Sequence, residues 1–223
     1  MERLRLGMAD MVLFGLYNAS LLFTLGYYLT GLQVEYRQGF ATEDGPIEWG
    51  TAICLLFAGL VLFRNAARLM GRGAGIAGIL TLIYGVVFLF GAGEEISWGQ
   101  RVFGWEAGEF FREHNAQRET NIHNLVVGDV KLVNTLFGPI LTFVVLLYLV
   151  VLPLLYSRLS AFRRLGDGLA IPVPAMRHTV LTLVATVVIG ILPMMAKWET
   201  YEFVFSLLCV SIVLAPRNAG RVT

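Results

Sequence analysis

Charge and cysteine are what this sequence has least of. Only 15% of its 223 residues are Asp, Glu, Lys or Arg, and 57% are hydrophobic. A soluble domain carries ~25% charged residues, so the chain cannot clothe itself for water and requires an apolar surrounding. The net charge of +1 argues against a general nucleic-acid-binding surface. Cysteine occurs twice, as Cys54 and Cys209, each inside an apolar run. That excludes a disulfide framework and a cysteine–metal cluster, and leaves two small buried hydrophobes. Internal repeats, low-complexity segments and a separate soluble module are also missing.

What is present is length of apolar sequence. A bilayer core of ~30 Å takes about 20 apolar residues per helix. Six stretches reach or approach that, at about 8–31, 48–69, 75–93, 132–156, 176–195 and 197–215. Continuous runs of this length do not fit the ~10-residue alternating strands of a barrel. The expectation is therefore an all-α, polytopic membrane protein: one transmembrane domain over 1–223, with about six transmembrane helices. The first run follows Arg3 and Arg5 but is too long for a signal-peptide core, and it reads as a retained anchor. Gly71, Gly75 and Gly78 open the third run with a small-residue spacing suited to close helix approach. Pro139 and Pro153 are expected to kink the fourth.

Lys and Arg set the orientation. With both termini cytoplasmic, eleven of the 17 basic residues fall on the cytoplasmic side and 13 of the 16 acids on the other. The predicted location is the cytoplasmic membrane, with an acidic outer face. One outer connection, 94–131, is too long for a turn and too apolar for disorder. Short interfacial helices capping the outer side are expected there, with Trp98, Trp105 and Trp198 as interface anchors.

Ionisable groups next to hydrocarbon cost ~2.5–3.5 kcal/mol each and are functional candidates by default. They recur at the outer ends of several runs: Glu48, then Glu94 and Glu95, then Glu199 and Glu202. On a continuing helix Glu94, Trp98 and Arg101 share a face, so Glu94 and Arg101 are expected to neutralise one another and Glu95 to stand apart. Asp129 and Lys131 read as solvated turn residues. The connection adds His114 and His123, the latter in "NIHNL" between Asn121 and Asn124, with Gln100 upstream. Glu with His suits two chemistries: a divalent metal such as zinc, held by Glu95, His114 and His123, or water activation by a buried glutamate. Ser97 lacks the surroundings of a nucleophile elbow.

The strings "GEEISWGQR" and "NIHNL" resemble those of a group of uncharacterised bacterial integral membrane proteins, which implies a bilayer location and no particular activity. A looser resemblance is to the CAAX-protease and bacteriocin-processing family of glutamic intramembrane proteases. Glu94 and Glu95 look like its paired glutamates, Phe110 to His114 spells its F-x-x-x-H, and His123 matches its last histidine. Arg101 departs from the pattern, six residues after Glu95 where the family has four, and the F-x-x-x-H lies in a connection instead of a span. That resemblance implies intramembrane hydrolysis.

Three functions follow as expectations. The first is a membrane-embedded hydrolase on a lipid or membrane-peptide substrate, with Glu95 as base or ligand, Glu94 and Arg101 positioning it, and His114 and His123 as ligands or oxyanion donors. The second is an accessory or scaffold subunit bound to other membrane subunits. The third is a small transporter. The bilayer is the one partner that all three share.

Overall fold

The computed structural model describes residues 7–223; Arg3 and Arg5, which entered the charge count and the anchor reading, lie outside them. The principal helices are α1 (Met8–Leu29), α2 (Pro46–Gly71), α3 (Gly75–Glu95), α4 (Leu136–Arg158), α5 (Ser160–Gly168), α6 (Met176–Ile191) and α7 (Lys197–Leu214). The fold is all-α apart from a two-residue hairpin pairing Val126 with Lys131 and Val127 with Val130.

Four of these helices, α1 to α4, are long and apolar enough to cross a membrane. The last two predicted runs form helices that fall short on one count each. α6 has 16 residues, or ~24 Å at ~1.5 Å per residue. It stops because Pro193 forces Leu192 into extended backbone. α7 has the length but carries Lys197, Glu199 and Glu202. Lys197 donates from Nζ to the carbonyls of Leu192 (2.7 Å) and Gly190 (3.3 Å), closing the end of α6.

The helix with that charge is the one at the centre. α7 packs against α1, α2 and α6, and Val204, Leu208 and Ile212 are fully buried beside Tyr17, Ala185 and Ile189. A helix enclosed by protein keeps polar side chains where it finds partners for them. Thr200 bonds Tyr36 (2.5 Å) and Thr24 (2.9 Å), and Tyr201 bonds Thr186 (2.7 Å).

α2 and α3 form a tight antiparallel hairpin. A Cβ on Gly85 would lie 2.5 Å from the Phe63 ring, and one on Gly78 would lie 2.6 Å from the Met70 side chain. Of the expected glycine stripe only Gly78 lies at this contact; Gly71 and Gly75 border open space. The prolines of α4 widen the helix. At Pro139 the Thr135 carbonyl is reached instead by the Ile140 N–H (3.1 Å). Pro153 leaves the Leu149 carbonyl without its usual donor, and the Thr179 hydroxyl of α6 supplies one at 2.9 Å.

The long connection is less helical than expected. It holds the short turns Gln100–Phe103 and Glu109–His114 and the small hairpin, which Gly128 turns with φ 61°. Its order comes mainly from side chains.

Candidate functional site

α3 ends at Glu95, and the chain breaks sharply after it. Ser97 and Trp98 adopt left-handed backbone (φ 46° and 56°), a conformation that a non-glycine residue holds only when its surroundings fix it. The Trp98 ring folds back over Gly93, where a Cβ would stand 2.8 Å from it, and its Nε1 donates to Glu94 Oε1 at 2.9 Å. The continuous face predicted for Glu94, Trp98 and Arg101 is therefore broken.

Glu94, 5% exposed, does not pair with Arg101. Its Oε2 accepts the backbone N–H groups of Ile122 (2.6 Å) and His123 (3.0 Å), and His123 Nδ1 stands 3.5 Å away. Four donors on one carboxylate make Glu94 the clamp that fixes the 121–124 strand of chain to the end of α3. Asn124 Nδ2 lies 2.9 Å from His123 Nε2. Nε2 therefore accepts, and the Nδ1 proton faces Glu94.

Arg101 reaches elsewhere. It pairs with Glu119, Asp44 and Glu43, joining the long connection to the one before α2. Partial burial works against its charge, but Asp44 and Glu43 outweigh that and hold the guanidinium above its ordinary pKa. Behind it lies a buried polar lattice. Ser97 donates to Glu119 (2.5 Å), Asn121 to Ser97 (2.9 Å), and Asn115 to both oxygens of Asn121 (2.8 Å). Gln100 accepts the Thr120 N–H at 2.8 Å, and Asn124 donates to Gln117 at 2.7 Å. The two distinctive strings thus interlock, and most of their polar groups are satisfied by one another.

His114 is not part of this. It is exposed, stacked on Phe110 with ring centroids 4.8 Å apart, and its Nδ1 bonds the Phe110 carbonyl. Among the described residues no three His, Cys, Asp or Glu side chains converge as metal ligands. The predicted trio of Glu95, His114 and His123 is accordingly not assembled, and the donor set does not fit a zinc ion.

What gathers at this end of the bundle, less closely than a metal site requires, is carboxylate. Glu48 opens α2, Glu95 closes α3, and Glu199 and Glu202 lie on the first turns of α7. These four groups from three helices are near enough to repel one another, and His123 is the basic side chain close to Glu199. Glu48 accepts the Asp44 N–H. Among the described residues Glu95, Glu199 and Glu202 accept no hydrogen bond and form no ion pair. Glu202 is exposed on the second turn of the otherwise most enclosed helix. Glu199, Glu202 and Ser206 fall on one face of α7 at helical spacing, so the acids begin a short polar file, in which the Ser206 hydroxyl donates to the Phe203 carbonyl (2.7 Å). A second file, buried at the far end, is closed. His178 Nδ1 accepts the Ala175 N–H (3.0 Å), so Nε2 donates to Ser211 (2.9 Å), which donates to Asp10 (2.5 Å). With its acceptor nitrogen occupied, that histidine is no base for Ser211.

No protein-family model, curated protein or solved structure matches this chain. The site rests on its own geometry. Sequence reading missed Glu119, Asn115 and Ser97, although the amide-rich run 115–124 was the available signal: so many polar groups in an apolar chain need one another.

Proposed function

We propose that the chain crosses the bilayer six times, with both termini on the cytoplasmic side and the 96–135 connection capping the outer face. In this reading it is a membrane-embedded acid–base hydrolase on a lipid-borne or membrane-peptide substrate. The topology is supported by the arginines at one end of the bundle, Arg64, Arg68, Arg158, Arg163, Arg164, Arg217 and Arg221, against most of the acids at the other.

The observation that carries the function is the quartet of Glu48, Glu95, Glu199 and Glu202, three of them without a partner. Carboxylates that share protons supply an acid and a base at one place, which is what hydrolysis needs. Glu95 is the base, because Glu94 beside it is saturated as a clamp. Glu199 and Glu202 are the proton partners, and His123, oriented by Glu94 and Asn124, lies close to Glu199. Arg101 and Glu94 hold the cap in register and touch no substrate.

The file of Glu199, Glu202 and Ser206 along one face of α7 favours a second reading, proton or cation passage. One experiment separates the two. Protein in lipid nanodiscs is incubated with membrane-lipid extract and with hydrophobic peptides, and products are sought by mass spectrometry. Products formed by the wild type and lost in Glu95→Gln support hydrolysis. No product, together with Glu202-dependent flux in proteoliposomes, overturns it in favour of passage.

A further inference from the structure

The bundle end opposite the carboxylates carries an unmatched basic corner. α5 is amphipathic, presenting Arg163, Arg164 and Leu165 outward, and Arg158 ends α4 beside it. The ring of Tyr156 lies between these elements and the chain after α7. The Arg163 guanidinium stands 6.0 Å from the ring centroid and that of Arg217 5.7 Å. Arg217 is held in place by Nη1, which donates to Ser157 Oγ at 2.5 Å.

The acid nearest this corner is engaged elsewhere. Asp167 Oδ1 accepts from the Tyr156 hydroxyl (2.9 Å) and from Asn218 Nδ2 (3.1 Å). Among the described residues Arg158, Arg163, Arg164 and Arg217 form no ion pair; the bridges present involve Arg101, Arg112, His123 and Arg177. Guanidinia stacked on an aromatic ring still have N–H groups to offer a phosphate: Arg163 donates no side-chain hydrogen bond, and Arg217 uses Nη1 alone, on Ser157 and Pro153. The flank leading from the corner is apolar and open, with Val151, Leu159, Leu165 and Leu169 between 37% and 53% exposed. A headgroup bound at the arginines would lay its acyl chains along it.

We propose that Arg163 and Arg217, both on the ring of Tyr156, form with the exposed Arg158 and Arg164 next to them in the chain a binding seat for the headgroup phosphate of an anionic phospholipid. The site is independent of the chemistry at the carboxylates. It takes from the proposed topology only that this end faces the inner leaflet, where juxtamembrane arginines meet anionic lipid.

The test uses the full chain in nanodiscs of mixed phosphatidylcholine and phosphatidylglycerol, measuring the lipid retained on the protein by native mass spectrometry. Wild type should enrich phosphatidylglycerol, and Arg163→Gln should lower that enrichment about fivefold. Arg163→Gln with Arg217→Gln should lower it further. Arg64→Gln with Arg68→Gln removes the same charge from α2 at the same end and should leave the enrichment near that of wild type. Arg217 also bonds Ser157, so the single Arg163 variant, whose contact is with a ring face, keeps the test valid if the double variant unfolds. Three results would overturn the proposal: no enrichment in the wild type, equal loss in the α2 control, or displacement of the lipid by millimolar inorganic phosphate. The second means a diffuse basic collar, and the third a site for the free anion.

Discussion

Glu94 and Arg101, on either side of the turn that ends α3, engage different parts of the chain instead of each other. Glu94 gathers the Trp98 indole and the backbone of Ile122 and His123, and Arg101 gathers Glu119, Asp44 and Glu43. Between them they tie three stretches of polypeptide over the carboxylate quartet, and Glu95, next to Glu94 in sequence, is left without a task in the scaffold.

That division predicts opposite phenotypes for adjacent residues. Glu94→Ala strands two partly buried N–H groups, each costing up to about 1–3 kcal/mol. It should lower the unfolding temperature in detergent and open the 96–135 connection to protease. Glu95→Gln should leave both unchanged while removing function. Equal destabilisation by the two substitutions would contradict the clamp assignment.

The acids around Arg101 should rank by burial. Glu119 is 7% exposed and bonded to Ser97 as well, whereas the Glu43 side chain is 58% exposed. Double-mutant cycles of Arg101→Ala should give a coupling of about 1–3 kcal/mol with Glu119→Ala. With Glu43→Ala the value should stay below ~1 kcal/mol, as for exposed pairs. A reversed order would mean that the lattice behind Glu119 does not stabilise the cap.

α1 to α4 were legible in the sequence because unbroken apolar length is a strong signal that little else imitates. Glu95 was also legible as the unpaired acid, although for an incomplete reason. The i, i+4, i+7 spacing assumed a helix continuing past Glu95, and no local rule announces left-handed backbone at Ser97 and Trp98. Partners such as Glu119 for Arg101, or Thr24 for Thr200, join residues far apart in the chain, and spacing within one helix cannot reveal them. The central place of α7 was not legible in hydropathy, which says nothing of where a run packs; protein neighbours on three sides let it keep polar groups that lipid would not tolerate. The shortening of α6 was legible in Pro193 and went unread.

The network of His178, Ser211 and Asp10, at the bundle end away from the carboxylates, makes a third prediction. Ser211→Ala removes the bridge between His178 and Asp10 and should destabilise the fold by about 1–3 kcal/mol, read as a lower unfolding midpoint. Turnover per folded molecule should not change, because His178 donates to Ser211 instead of accepting its proton. Loss of turnover without loss of stability would assign the pair a catalytic part.

The last prediction concerns the carbonyl that Pro153 orphans. Thr179→Val deletes the hydroxyl now bonded to Leu149 O and leaves a buried acceptor inside α4 without a donor. The cost should be about 1–3 kcal/mol. Pro153→Ala restores a backbone N–H four residues after Leu149, the donor a regular helix would provide. In the Pro153→Ala background Thr179→Val should therefore cost much less, and the cycle should show a coupling above ~0.5 kcal/mol. Strict additivity of the two substitutions would mean that the Thr179 hydroxyl does not stand in for the missing N–H. The widened turn of α4 would then owe its shape to packing against α6 alone.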